Sequence, residues 1–328
     1  MILINKEELF KPYSPSEFEQ RALYIFRKQA SENPVYRTYL QRLDLDIERI
    51  TQLQDIPFLP IEFFKTKTIL LDGLSSEIVF SSSGTTGMQQ SKHPVSDVSY
   101  YEWSYRLAFQ HFYGDVKKFA ILALLPSYQE REGSSLIYMV DDLIKQALPD
   151  YSGYFLYNHH DLYERLLHLR QQHIPTLLIG VTYALLDFIE NYTVDFPKLI
   201  IMETGGMKGK RREMIREELH QSLCRGFGVQ EIHSEYGMTE LLSQAYSKGH
   251  GVFNCPPWMK VLSRDINDPL SILSPEKTGG INIIDLANIH SCSFIATQDL
   301  GKVYTDGSFE ILGRFDESDI RGCNLLVQ

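Results

Sequence analysis

Three unbroken apolar runs in the middle of the chain limit its architecture more than any other feature: FAILALL at 119–125, TLLIGV at 176–181 and KLIIMETGG at 198–206. None alternates apolar with polar side chains, and Pro or Gly marks the end of each, as expected of strands covered on both faces in a parallel sheet. Between them, SSLIYMVDDLIKQAL (134–148) and DLYERLLHLRQQH (161–173) carry helical spacing. This alternation predicts an α/β fold. Beyond Gly249 the pattern changes: GGINIID (279–285) and the stretch 293–316 read as antiparallel hairpins separated by turns. The expected architecture is therefore a parallel or mixed sheet flanked by helices, with a small antiparallel β region from about residue 250.

Nearer the N-terminus, Ser14, Pro15 and Glu17 form a helix start, and Phe18, Ala22, Ile25 and Phe26 share one face of a helix that should stop before Pro34. The segment DIPFLPIEFFK (55–65) is too rich in proline for a helix and reads as an extended buried connector. No internal repeat, low-complexity tract or long linker interrupts the chain.

With 328 residues and 43% hydrophobic content, dominant disorder is excluded. A net charge of −10 gives no global electrostatic case for nucleic acid or an anionic membrane, so a polyanionic ligand needs a local site. The four cysteines, Cys224, Cys255, Cys292 and Cys323, form no CxxC pair, which argues against zinc knuckles and disulfide scaffolds and favours a reducing compartment. The start of the chain lacks a basic leader, and the longest apolar run falls well short of the roughly 18 residues needed to span a bilayer. A cytoplasmic protein is expected.

Three segments carry chemistry. FSSSGTTGMQQSKHPVS (80–96) follows an apolar pair; Gly84 and Gly87 let backbone amides turn inward, Ser82, Ser83, Thr85 and Thr86 add hydroxyls, and Lys92 adds charge. It reads as a phosphate cradle or as a serine-rich surface loop, and it is not a P-loop, since no GxxxxGK[ST] occurs. EIHSEYGMTELLSQAY (231–246) places Tyr236, Gly237, Thr239 and Glu240 before a helical pattern; Thr and Glu there suit a phosphate and a divalent cation, or a plain capping turn. In the stretch 297–326, Asp299 suits two vicinal ribose hydroxyls, and Arg314 and Arg321 are anion partners.

In this order the segments resemble the adenylate-forming superfamily of acyl-CoA synthetases: SSSGTTG its phosphate loop, YGMTE its AMP and magnesium motif, TQDLG its ribose motif and GRFDESDIRG its hinge. IPFLPIEFFK, GTTGMQQSKHPVSD, LLPSYQEREGSSLIYMVDDL, LIGVTYALLDF and METGGMKGKRRE narrow the likeness to the LuxE-like acyl-protein synthetases, over essentially the whole chain. That resemblance implies the N-terminal-domain architecture of the superfamily, ATP and Mg2+ as cofactors, and activation of a carboxylic, typically fatty, acid as acyl-AMP. It further implies transfer of the acyl group to a thiol, here Cys323, for delivery to an acyl reductase, acyltransferase or acyl-carrier partner, with no nucleic acid and no membrane span.

Carried over residue by residue, the resemblance assigns Ser82, Ser83, Gly84, Thr85, Thr86 and Gly87, with Lys92, to the triphosphate. Gly205 and Gly206 pass the adenine or make a simple strand-to-helix turn, and Tyr236, beside Gly237, packs on the adenine or fills the core. Thr239 contacts the α-phosphate, Glu240 is the magnesium ligand, Asp299 binds the ribose, and Arg314 is a second ribose or phosphate partner or a hinge ion pair. Since a carboxylate attacking phosphorus needs no deprotonation, positioning and charge neutralisation suffice, and no His/Asp dyad is required.

The chain departs from the wider superfamily in two ways. It is expected to divide into an adenylation core (1–313) and a hinge remnant with tail (314–328), without the mobile C-terminal domain and its catalytic lysine, so self-acylation or a completing partner is expected. Lys92 also lies farther from Gly87 than the phosphate-loop lysine of typical members. Around Cys323, Arg321 and Arg314 would lower a thiol pKa; the alternative is a small buried hydrophobe beside Leu325 and Leu326. An external thiol on coenzyme A or a carrier protein, and a non-catalytic nucleotide-binding remnant, are the competing functions.

Other features carry less. His159 and His160 suit a loop preceding a helix; His233 and Glu235 form an HxE without a downstream PCxxC. Lys208, Lys210, Arg211 and Arg212, followed by Glu213, Glu217 and Glu218, read as a solvated helix face. The stretches 126–135 and 180–188 are the acyl-pocket candidates by resemblance.

Overall fold

The computed structural model describes residues 5–83, 89–126, 132–205 and 214–315. Along the chain, α1 (Lys6–Leu9), α2 (Pro15–Glu32) and α3 (Pro34–Arg42) come first, followed by β1 (Leu59–Pro60), α4 (Phe63–Thr66), β2 (Ile78–Ser81), β3 (Lys92–Val95) and α5 (Ser99–Tyr113). Next come β4 (Ala120–Leu124), α6 (Ser135–Gln146), β5 (Gly153–Tyr154), α7 (His159–Gln171), β6 (Thr176–Val181), α8 (Thr182–Asn191), β7 (Ile200–Thr204), α9 (Arg216–Phe227) and β8 (His233–Tyr236). The described chain closes with β9 (Ala245–Ser247), β10 (Val252–Asn254), β11 (Met259–Arg264), β12 (Thr278–Asp285), β13 (Phe294–Val303) and β14 (Phe309–Arg314).

The helix predicted at Ser14 forms as its residues require. Glu17 N–H donates to Ser14 Oγ at 3.3 Å, and the Glu17 carboxylate accepts from Ser14 N–H at 2.8 Å, a complete capping box. Asn33 ends α2 and caps α3, its Oδ1 accepting from Val35 and Tyr36 N–H at 3.0 Å. The proline-rich connector is not uniformly extended: it holds the two-residue strand β1 and the single turn α4, which begins three residues after its last proline, Pro60.

The chain divides into two compact units. The first comprises residues up to Tyr105, Met238–Ser243 and the chain from Asn254; the second comprises Arg106–Gly237 and Gln244–Phe253.

In the first unit, β11, β12, β13 and β14 form an antiparallel order, and β1 joins β13 in parallel through Leu59↔Ile295 and Pro60↔Ala296. Its core gathers Phe26, Tyr36 and Phe58 around the buried Phe294 ring, with centroids 5.9, 6.3 and 6.1 Å away. Buried Gln29 ties α2 to the turn before β13: its Nε2 donates to the Asn288 carbonyl at 2.9 Å, and its Oε1 accepts from Ser293 N–H at 2.9 Å. A separate antiparallel ribbon pairs β2 with β3, Phe80 opposite His93 and Ser81 opposite Lys92.

In the second unit the three apolar runs become adjacent parallel strands in the order β5-β4-β6-β7-β8, with β9 antiparallel on β8 and β10 beyond it. Every residue of β4 and β6 is buried, which explains why neither run alternates. Helix α6 packs on β4, and α8 packs on β6, β7 and α9. His159 and His160 are the first turn of α7 rather than a loop before it. Among the described residues no helix is long and apolar enough to cross a membrane.

Candidate adenylation site

The segment 238–243 belongs to the first unit and is not a helix, although TELLSQ has helical spacing. After one turn, closed by Leu241 N–H on the Met238 carbonyl at 3.1 Å, the next two amides leave the helical path. Leu242 and Ser243 N–H donate to Asp285 Oδ2 at 2.8 and 3.0 Å, while Ser243 Oγ–H donates to Asp285 Oδ1 at 2.5 Å. A buried carboxylate receiving amide and hydroxyl protons outcompetes a weak helical pattern. Burial still pushes the Asp285 carboxyl up to about 6, against the hydrogen bonds that lower it.

This turn presents Thr239 half-buried and Glu240 buried. Desolvation raises the Glu240 carboxyl above its ordinary range; a hydrogen bond from the Ser91 side chain, its own N–H, and the fields of Arg314 and Lys65 oppose that shift. Ser91 sits where the β2–β3 ribbon ends: Ser82 N–H donates to the Ser91 carbonyl at 3.1 Å, and Ser82 Oγ accepts from Ser91 N–H at 2.9 Å. Ser82 from the expected phosphate loop thus bonds to Ser91, and, two residues on, His93 Nδ1 lies 2.8 Å from the Thr239 carbonyl. Ser83 is exposed. Lys92 is exposed as well, while Ser91 and His93, one residue to either side of it, are buried.

Asp299 and Arg314 lie directly opposite each other on β13 and β14, and Arg314 Nε–H donates to Asp299 Oδ1 at 2.9 Å. Asp299 is buried while the Arg314 side chain is 75% exposed, so the pair joins an anchored acceptor to a solvent-facing cation. The backbone there is braced by Asp299 N–H on Thr297 Oγ1 at 3.1 Å and by Arg264 Nη2–H on the Thr297 carbonyl at 2.6 Å.

The second unit holds Gly205, Tyr236 and Gly237. Gly205 follows β7 with φ +56, a left-handed conformation that favours glycine. Gly237 has a different requirement: a Cβ there would collide with Glu235 Oε1. Tyr236 is half-buried, its ring 5.7 Å from that of Phe253. Beneath this turn, Glu235 accepts from Thr204 Oγ1–H at 2.7 Å, and burial, with Glu203 nearby, pushes its carboxyl up to about 7. Glu203 is also desolvated, yet the neighbouring His220 imidazole, 3.9 Å away, the Ser234 hydroxyl and the field of Arg216 hold it below the ordinary range.

Gly84, Thr85, Thr86, Gly87, Gly206, Cys323, Arg321 and the basic run 208–212 lie outside the described residues. The three described cysteines are poor nucleophiles: burial raises Cys255 and Cys292 to about 12 and also raises Cys224. Within the acyl-pocket candidate 180–188, Val181, Ala184, Leu185 and Phe188 are core, and the Phe188 ring stacks on Phe227 at 5.5 Å.

Sequence reasoning missed Ser91, His93, Asp285 and Asn288. The signal for the first two was present: in an extended SKHPV, period two places Ser91 and His93 on one face and Lys92 on the other. The other two have no local signal. Among the described residues no cluster of three or more His, Cys, Asp or Glu can hold a metal ion. Glu240 alone fits a cation that takes one carboxylate and completes its shell from phosphate oxygens and water, the habit of Mg2+.

No family model matches the chain. In sequence it is 25% identical to the long-chain-fatty-acid–luciferin-component ligase of Vibrio harveyi, over 89% of this chain and 82% of that protein. Among solved structures, 2-hydroxyisobutyryl-CoA ligase in its postadenylation state with 2-HIB-AMP matches with a TM-score of 0.69 at 11% identity, over 96% of this chain and 73% of that one. ATP-bound MatB from Rhodopseudomonas palustris matches with a TM-score of 0.55 at 16% identity, over 74% of this chain and 49% of its own. The chain thus spans about half the length of MatB. At these identities the solved structures establish the fold. Taken together, the chain is similar in sequence, over most of its length, to a long-chain-fatty-acid–luciferin-component ligase, and it shares the fold of these solved structures.

Proposed function

We propose that this chain is an AMP-forming acid–thiol ligase that activates a fatty acid with ATP and passes the acyl group to Cys323, for delivery to a reductase, acyltransferase or carrier partner. The observation that carries the reading is the Thr239–Glu240 turn: a buried carboxylate beside a hydroxyl, tied to the end of the β2–β3 ribbon and within the field of Arg314. A carboxylate desolvated to this extent favours either a proton or a cation.

In this reading the Glu240 carboxylate holds Mg2+, which when bound neutralises phosphate charge. Thr239 Oγ–H donates to an α-phosphate oxygen. Asp299 accepts from the ribose hydroxyls while Arg314 orients its carboxylate. The substrate carboxylate oxygen forms a bond to the α-phosphorus as the bond to the bridging oxygen breaks, and pyrophosphate leaves with that electron pair. The Cys323 thiolate then attacks the acyl carbonyl, and AMP leaves. The raised thiols of Cys255 and Cys292 make them unsuitable for that second step.

The test is pyrophosphate exchange into ATP over a panel of carboxylic acids, followed by trapping of the acylated protein. Acid-dependent exchange and a hydroxylamine-labile adduct that disappears in Cys323→Ser are expected. Exchange with an adduct that survives the substitution removes the self-acylation step, and turnover with an external thiol in that variant establishes the coenzyme A or carrier reading instead. ATP binding without exchange for any acid refutes the ligase.

A further inference from the structure

We infer that His93 and Asn288 are positioning residues that fix the direction in which Glu240 projects; the inference rests on the ligase reading of this turn. In a helix, the carbonyls of Thr239 and Glu240 would accept from the amides four residues ahead, Ser243 and Gln244. Ser243 N–H is instead taken by Asp285. The two carbonyls are satisfied by side chains: His93 Nδ1 lies 2.8 Å from the Thr239 carbonyl, and Asn288 Nδ2–H donates to the Glu240 carbonyl at 2.8 Å.

These carbonyls belong to the peptide planes on either side of the Glu240 Cα. Holding both planes sets φ and ψ of Glu240, and with them the Cα–Cβ direction along which its carboxylate leaves the backbone. Both anchors are themselves immobile. His93 and Asn288 are each 0% exposed, and the Phe64 ring meets the imidazole edge-on at 5.4 Å. A carbonyl only accepts, so the proton must sit on Nδ1. Burial lowers the imidazole to about 4, which keeps the ring neutral at physiological pH and the Nδ1–H tautomer in place.

Three variants separate positioning from mere packing. His93→Phe keeps the ring and removes the donor; His93→Asn restores a donor at the Nδ1 position in a smaller side chain; Asn288→Asp keeps the shape and removes the donor. Acid-dependent pyrophosphate exchange is measured as kcat and as KM for ATP and Mg2+, with thermal melting to confirm folding. His93→Phe and Asn288→Asp should lower kcat roughly 10- to 100-fold while ATP affinity changes about threefold or less, and His93→Asn should recover most of the loss. A folded His93→Phe with wild-type kcat, or His93→Asn as impaired as His93→Phe, overturns the inference. Should His93→Phe fail to fold, wild-type kcat in folded Asn288→Asp overturns it equally. An active wild type with unimpaired variants refutes the positioning role alone; a wild type without exchange refutes the ligase reading and the inference together.

Discussion

Two buried glutamates five positions apart in sequence, Glu235 and Glu240, occupy opposite electrostatic settings. Glu240 has Ser91 on its carboxylate and the cations Lys65 and Arg314 in its field. Glu235 has Thr204 as donor and a second carboxylate, Glu203, as neighbour. Both are raised by desolvation, but only Glu235 also has a negative charge pushing the same way. Burial alone therefore does not define a cation ligand. The sign of the surrounding charge separates a group suited to hold a metal from one suited to remain a neutral acid beneath a turn.

The largest effect that would sharpen this contrast is on catalysis. Glu240→Gln should reduce acid-dependent pyrophosphate exchange roughly 10²- to 10³-fold and abolish its response to Mg2+, whereas Glu235→Gln should keep most activity. Equal losses in the two variants would break the comparison.

The next effect is on stability. Below the ordinary value of 4.5, Glu235 is protonated in both the folded and unfolded chain; between 4.5 and about 7 the folded chain keeps a proton that the unfolded chain has released. Stability therefore falls as pH rises through that window, and the full cost is in place above about 7. Glu235→Gln should remove it, stabilising the protein at pH 8 by up to about 3 kcal/mol and leaving it little changed at pH 4. Melting curves at the two pH values decide this, and a pH-independent difference contradicts the buried neutral acid.

The smallest effect concerns Arg314. With its side chain 75% exposed, Arg314→Leu should leave the melting temperature almost unchanged and raise KM for ATP only about two- to fivefold. A loss as large as that of Glu240→Gln would make Arg314 part of the reacting centre.

What was legible in the sequence follows from how local each signal is. The strands β4, β6 and β7 announce themselves because burial of all of β4 and β6 and of β7 beyond Ile200 leaves no polar alternation, and the α2 cap is complete within four residues. The motif residues Thr239, Glu240 and Asp299 were named for the same reason. The conformation of 240–245 was not legible, because Asp285, 42 positions beyond Ser243, decides it. Nor was the Asp299–Arg314 pairing, whose register passes through an irregularity between Leu300 and Gly301. His93 was hidden behind its neighbour Lys92, the residue a search for phosphate-binding charge selects first.

The anchors of the Thr239–Glu240 turn also bear on when it can exist during folding. His93 lies 146 positions before Thr239, and Asn288 lies 48 positions after Glu240. Each of these side-chain anchors therefore has to close a long loop, so the anchored form of the turn belongs among the late-forming, non-local elements of the fold. During synthesis, a ribosome-bound chain that has not yet extruded residue 288 carries the complete YGMTE motif without the geometry that would make it a cation ligand.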